Sequence, residues 1–290
     1  MRRGPRHSVR PAQPGDLEAV REISDVYGNL APWPERPDFL DHEWAAGRMY
    51  VADSEGEVAA FGGSFDRGDV VYVADLFVRP GAVGRGLGWG LLEAIFDREG
   101  ARLTMASGDP RAVPLYARFG MRPLMPALYV EGDADAVRRL EAAPESLVPA
   151  AEGELVDMDA EVSGRLRPQE LQFLGACPGA EGFRIEGSAG PAAYGWVRTA
   201  TVPATVGGGR HAFVGPMGGR TEDDMDRVTR AIARRAIAGV SRVHFLLLGP
   251  HPSLAALLRA GFRLVDRDTW MCSRLDLVDG RRYAPSPELG

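Results

Sequence analysis

A glycine-studded stretch, Gly84-Arg85-Gly86-Leu87-Gly88, follows a long apolar run and leads into an amphipathic one. A strand that ends in such a loop at a helix amino terminus is suited to hold an anion. Glycines let backbone N–H groups converge there, and the helix dipole adds about half a positive charge. The candidate donors run from Val83 to Trp89, with Arg85 adding a full charge. The spacing is not that of a dinucleotide-binding turn, because Trp89 stands where the third glycine of Gly-x-Gly-x-x-Gly belongs. A glycine-rich turn can also do no more than tighten a strand-to-helix corner, and the loop alone does not separate the two readings. In the apolar run before it, Asp75 is the single acid. Burying a carboxylate is costly unless it is paired. Asp75 is therefore either bridged to a nearby arginine or a functional group that binds an ammonium or accepts its proton.

Several elements must position these residues. Val9-Arg10-Pro11 reads as a short strand, with Asp16 capping a helix through Ile23 and a second helix from Asp38 to Ala46. Met49 to Asp53 and Val58 to Phe65 read as strands paired across Ser54-Glu55-Gly56, and Val70 to Val78 is the strand that carries Asp75. Leu87, Leu91, Leu92, Ile95 and Phe96 recur at helical spacing after the glycines. A strand at Leu103 to Ala106, a helix from Ala112 to Phe119 ended by Gly120, and a strand at Leu128 to Val130 close the unit.

The run Leu76-Phe77-Val78-Arg79-Pro80, with Val83-Gly84-Arg85-Gly86-Leu87-Gly88 after it, resembles the coenzyme A-binding segment of the GNAT N-acetyltransferase superfamily. That family's pattern is Gln/Arg-x-x-Gly-x-Gly/Ala behind a strand, followed downstream by Asn-x-x-Ala-x-x-x-Tyr-x-x-x-Gly-Phe. This chain has Asp109-Pro110-Arg111-Ala112, then Tyr116 and Gly120-Met121, and the resemblance spans residues 8 to 131. It departs at Val83 (usually Gln or Arg), Asp109 (usually Asn) and Met121 (usually Phe). The resemblance implies direct attack of an amine on the thioester of acetyl-CoA. Backbone contacts to the pantetheine arm would come from Leu76, Phe77 and Val78, and a polar contact near the cofactor from Asp109. Tyr116 would be the general acid that protonates the departing thiolate, and the motif around it favours that role over a core tyrosine sharing a helix face with Val113. Polyamine-acetylating members carry an acidic pair where this chain has Ala74-Asp75, so only the second acid survives.

After an Ala/Glu/Pro-rich stretch the order of elements repeats. Strands are expected at Ala193 to Val197, Ala212 to Pro216 and Val243 to Leu248, and helices from Glu222 to Ala238 and up to Gly261. Leu115 to Arg122 is echoed by Ala256 to Arg263, which favours duplication. The second copy has lost its chemistry: Leu257 stands in the place of Tyr116, and Glu222, Asp223 and Asp224 at a helix start would repel a pyrophosphate. Tyr194, Trp196 and Trp270 read as core or pocket lining, His211, His244 and His251 show no ligand spacing, and the tail from Asp279 on reads as surface.

Composition sets the outer bounds. The 290 residues are 45% hydrophobic and 26% charged, a globular balance with a formal net charge of −6. That charge argues against a nucleic-acid partner and suits a cationic amine. No lysine occurs, which excludes a pyridoxal Schiff base and a Walker A loop. Two cysteines, Cys177 and Cys272, are too few for a disulfide framework or a Cys-based zinc site. No apolar run reaches the ~20 residues of a membrane span and no signal-peptide core opens the chain, so a cytoplasmic protein without membrane partners is expected.

The fold expected is α/β with a mixed sheet: two GNAT-like domains, each a twisted mixed β-sheet flanked by helices. The catalytic domain is placed at 1–131, a connecting helix and linker at 132–152, and a degenerate accessory domain at 153–290. The expected activity is acetyl transfer from acetyl-CoA, without a metal, to a primary amine of a small molecule, with a homodimer allowed. The alternatives are a protein N-acetyltransferase and a non-catalytic coenzyme A-binding regulatory module.

Overall fold

The computed structural model describes residues 7–142, 146–188 and 190–290. By internal packing the chain divides into two compact units, Met1–Thr104 and Met105–Gly290. Both are mixed sheets flanked by helices, and among the described residues no helix is long and apolar enough to cross a membrane.

In the first unit the strands are β1 (His7–Pro11), β2 (Arg48–Ser54), β3 (Glu57–Arg67), β4 (Val70–Val78) and β5 (Ala101–Ala106), in that spatial order. The helices are α1 (Leu17–Val26), α2 (Phe39–Ala46) and α3 (Leu87–Ile95). β1 to β4 pair antiparallel, and β5 joins β4 in parallel. Asp16 precedes α1 as expected, but its carboxylate accepts from the Gln13 N–H and the Arg10 guanidinium rather than from the helix. Asp38 does cap α2, accepting from the Asp41 N–H. Successive strand residues face opposite sides of a sheet, and Gly62 and Gly63 of β3 show which helix covers which side. A Cβ on Gly62 would meet Ile95 of α3 and Leu76, whereas one on Gly63 would meet the Glu43 carboxyl of α2. Leu87 and Leu91 of α3 pack on Ala52, Ala59, Ala60 and Ala82. Four small side chains at this contact let the helix lie close to the sheet.

The second unit begins with α4 (Ala112–Arg118), β6 (Arg122–Gly132), α5 (Ala134–Arg139), β7 (Val148–Pro149), α6 (Glu152–Ser163) and α7 (Pro168–Ala176). It continues with β8 (Ala180–Gly187), β9 (Gly190–Val202), β10 (Gly209–Gly219), α8 (Glu222–Ala236), β11 (Arg242–Leu248), α9 (Leu254–Ala260), β12 (Arg263–Cys272) and β13 (Tyr283–Ala284). Its sheet order is β12-β6-β11-β10-β9-β8-β7, with β13 on β10. Residues 105–131 pack within this unit because β6 is paired with β12 from Arg122 to Glu131 on one side and with β11 from Ala127 to Gly132 on the other. The sequence echo between the halves is also an echo of geometry. α4 and α9 both end on a glycine at positive φ, Gly120 and Gly261. In both, the next N–H reaches back five residues, Met121 to Tyr116 and Phe262 to Leu257, a Schellman-type stop.

One expectation for this unit fails. The tail from Asp279 is not a surface segment: Tyr283, Ala284 and Leu289 are buried, and Tyr283–Ala284 is a sheet strand. Tyr194, Trp196 and Trp270 are core residues as favoured, at 2% exposure or less, and Trp196 also borders a cavity with Gly182 and Phe183.

Candidate active site

The β4–β5 corner of the first unit is where strand pairing and helix capping both leave backbone groups available. β4 pairs with β5 only from Val70↔Ala101 to Val73↔Thr104, while its pairing with β3 runs on to Val78↔Ala60. Between these ladders Ala74 is an extra residue, since Gly63 faces Asp75 but Ser64 faces Val73. A bulge of this kind bends a strand and re-aims it. Beyond it, the Arg79 N–H donates to the Ala59 carbonyl of β3 at 2.8 Å. Antiparallel strands alternate the direction of their backbone groups, so Phe77 also faces β3, and Leu76 and Val78 present theirs to the opposite edge. No strand of this unit pairs with that edge beyond Val73, among the described residues. The Tyr27 hydroxyl of α1 donates to the Val78 carbonyl at 2.6 Å, and its ring lies 5.0 Å from that of Phe77.

The glycine loop stands at the end of this same strand. Gly84 and Gly86 take φ of +84° and +85°, a conformation that only glycine adopts readily, and a Cβ on either would project into open space. Gly86 is the N-cap of α3 and offers no side chain to the first turn, whose N–H groups have no helical acceptor. Leu76 and Val78 pack, partly buried, on the same cluster as Leu87 and Leu91, which fixes the strand edge and the helix start to each other. Arg85 does not point into the loop's concavity as a free charge. Its guanidinium pairs with Glu55 at 3.0 Å and with the Gly81 carbonyl at 3.2 Å. Trp89 is 38% exposed one turn further on, and Val83 is half-buried with its N–H on the Pro80 carbonyl.

Asp75 lies in the splayed part of β4 and is 6% exposed. The neighbour the fold gives it is another acid, Glu43 of α2, which is 1% exposed. Burial first, and the Asp75 carboxyl second, push Glu43 well above the ordinary carboxylate range. Sequence reading missed Glu43 and Tyr27. The readable signal for Glu43 was the glycine pair inside β3, because a glycine within a strand marks close approach of another group.

Asp109 and Tyr116 belong to the second unit. Asp109 caps its own loop: the Arg111 side chain and N–H hold it, and lower its pKa to about 2. Tyr116 sits on α4 at 6% exposure.

The second unit repeats the corner in closed form. β10 pairs with β11 only from His211↔Arg242 to Val214↔Phe245, and its ladder with β9 shifts between Val214 and Met217. β9 continues along β10 beyond the shift, so β13, at Met217↔Ala284 and Gly218↔Tyr283, occupies the other edge. The Gly219 N–H donates to the Arg282 carbonyl at 2.9 Å. Arg167, fully buried, holds the tail by donating to the Leu289 and Gly290 carbonyls while pairing with Asp159 at 2.7 Å. The following helix is closed too: Thr221 caps α8, and its hydroxyl and the Asp224 carboxylate each accept the other's backbone N–H.

Residues 17–121 match the model of the acetyltransferase (GNAT) family. They are a GNAT-family domain. Around this GNAT domain, likeness of fold extends over nearly the whole chain. A putative acetyltransferase from Pyrococcus horikoshii matches with a TM-score of 0.72 at 14% identity, over 98% of this chain and 96% of that one. A tandem GNAT protein from the clavulanic acid biosynthesis pathway matches with a TM-score of 0.60 at 17% identity, over 92% and 98%. A glucosamine N-acetyltransferase region of a fungal GH3 β-N-acetylglucosaminidase matches with a TM-score of 0.62 at 17% identity, over 92% and 38%. No curated protein sequence matches the chain.

Proposed function

We propose that the chain is an acetyl-CoA-dependent N-acetyltransferase that moves the acetyl group to a primary amine of a small molecule, by direct attack in a ternary complex. The observation that carries this reading is the corner of the first unit, where the outward backbone edge of Leu76 and Val78 adjoins the bare first turn of α3. An extended arm with amide groups can hydrogen-bond to such an edge as a strand does, and a pyrophosphate suits the helix start. Coenzyme A carries both features in one molecule. The second unit supports the reading by contrast: its matching edge holds a peptide strand, β13, and its helix start is self-capped. One cofactor per chain follows.

In this reading Val83 to Trp89 cradle the pyrophosphate through backbone N–H groups, and Arg85 contributes field rather than contact. The outward N–H of Leu76 stabilises the oxyanion that forms when the amine attacks the thioester carbon. A C–N bond forms, the C–S bond breaks, and Tyr116, carried over from the family motif, protonates the thiolate. Asp109 is assigned a polar contact near the cofactor on the same basis. Asp75 and the net charge of −6 favour a cationic acceptor. The proposal includes a cytoplasmic setting, no nucleic-acid or membrane partner, no metal and a homodimer.

The test is thiol release from acetyl-CoA with a panel of spermidine, kanamycin, glucosamine and a lysine-containing peptide. Turnover on one of the first three supports a small-molecule enzyme, and turnover on the peptide alone transfers the assignment to proteins. Val83, which lacks the family's polar side chain, gives weight to a second reading, a coenzyme A-binding regulatory module. Acetyl-CoA binding without turnover on any amine would establish that module instead.

A further inference from the structure

The Glu43–Asp75 contact is an arrangement that packing alone does not explain. Glu43 is carried over β3 from α2, and β3 makes room for it with a glycine: a Cβ on Gly63 would stand 2.0 Å from the Glu43 carboxyl. Gly63 is the register partner of Asp75, so the two acids meet on one face of the sheet. Apart from Asp75, no donor among the described residues reaches either oxygen of Glu43, although the side chain is 99% shielded from water. Two carboxylates in contact without solvent cannot both be ionised, so the pair holds one proton between them.

We propose that Glu43 and Asp75 act as one proton-holding pair, in which Glu43 is the positioning residue and Asp75 accepts the proton of the acceptor amine. This rests on the acetyl-transfer reading. Glu43, the deeper acid, keeps the shared proton and donates it as a hydrogen bond to the Asp75 carboxylate. Asp75 keeps the charge, in the splayed stretch of β4 directly before Leu76. An incoming ammonium gives one proton to Asp75 and becomes a free amine. Its lone pair forms the C–N bond as the C–S bond breaks. The amine's second proton is lost as the amide forms and is balanced by the proton the thiolate takes up. The proton on Asp75 then returns to water.

The other charges around the pair are accounted for. His42, next to Glu43 on α2, is held neutral down to about pH 4 by burial and by Arg67 of β3. Arg21 of α1 is closed on Asp38 and Asp41. Arg48 of β2 is closed on Asp66 of β3. Among the described residues, Asp75 is the one ionisable group that acts on Glu43.

The experiment compares wild type, Asp75→Asn, Glu43→Leu and Glu43→Gln by three readouts. These are the pH profile of kcat/KM on the amine found active, acetyl-CoA affinity by calorimetry, and the infrared band of a protonated carboxyl at neutral pH. Asp75→Asn is expected to lower kcat at least 100-fold without weakening acetyl-CoA binding. Glu43→Leu removes the hydrogen bond to Asp75 and moves the acid limb of the profile up by at least one pH unit. Glu43→Gln, which keeps a donor there, returns the limb to its wild-type position. The infrared band should be present in wild type and absent from both Glu43 variants.

A Glu43→Leu profile that superimposes on wild type, or a wild type without the infrared band, overturns the pair while the acetyl-transfer reading stands. Acetyl-CoA binding with no turnover on any amine overturns the reading itself, and with it the catalytic role of the pair. A band that persists in Glu43→Gln places the shared proton elsewhere and overturns the assignment to Glu43.

Discussion

The buried acid pair has a consequence for stability that can be measured without any substrate. Glu43 in the folded chain holds its proton well above the ordinary value of 4.5. The folded state therefore binds more protons than the unfolded state between that value and the folded one. Stability from this group is complete below the unfolded pKa and is lost as pH rises toward the folded pKa. Across one pH unit in that window, with Glu43 ionised in the unfolded chain and protonated in the folded one, the loss is about 1.4 kcal/mol. For a chain of this size that corresponds to roughly 3–5 °C in Tm. Glu43→Gln cannot ionise and removes the slope. Asp268, raised to about 6 by burial, destabilises in the same direction below that pH, and His42, lowered to about 4, acts in the opposite direction. Both are common to the two proteins and cancel in the difference. Scanning calorimetry of wild type and Glu43→Gln from pH 5 to 8 should show the variant's advantage widening as pH rises above the unfolded value, by about 1.4 kcal/mol per pH unit while Glu43 is ionised only in the unfolded chain. A difference that stays constant with pH would refute the argument, because Glu43 would then titrate alike in both states.

Further expectations follow from other contacts. Gly86→Ala forces a side chain into φ +85° with open space around it. It should cost about 1–2 kcal/mol in urea unfolding and weaken acetyl-CoA binding, since the new methyl projects from the loop itself. Tyr116→Phe should lower kcat by about 100-fold or more, the usual scale for losing a general acid, with calorimetric affinity for acetyl-CoA unchanged; an unaltered kcat would remove Tyr116 from the mechanism. Arg167→Leu leaves the buried Asp159 carboxylate with the Tyr194 and Ser163 hydroxyls but without its counter-charge, and frees the tail carbonyls. Loss of one member of such a pair costs about 3–5 kcal/mol, measurable as a lower urea midpoint.

Much of the first unit could be read from the chain because its signals are local. β4 lies at Val70–Val78 as expected, and α3 begins at Leu87 where glycine spacing gives way to helical spacing. The strand–loop–helix corner was legible for the same reason, since strand, glycines and apolar helix face are contiguous. Glu43 was not, because its chemistry depends on Asp75, brought to it only when α2 crosses β3 at Gly63. β12 also escaped: Arg263, Asp266, Arg267 and Asp268 interrupt its apolar pattern, and the exposed first half, held by its register with β6, leaves the buried apolar signal to Trp270, Met271 and Cys272 at its far end. The tail was misjudged because Arg281, Arg282 and the prolines at 285 and 287 look like surface sequence. Its burial comes from a vacancy on β10 and from Arg167, neither of which leaves a mark in the tail itself.

The most direct test of the central claim is calorimetric titration of acetyl-CoA into wild type and Gly86→Trp, whose indole would fill the space in front of the loop. The account predicts one molecule bound per wild-type chain and none by the variant, with both proteins folded by circular dichroism. Equal binding by the two would place the cofactor elsewhere, two sites per chain would contradict the closed corner of the second unit, and no binding by wild type would remove the transferase reading.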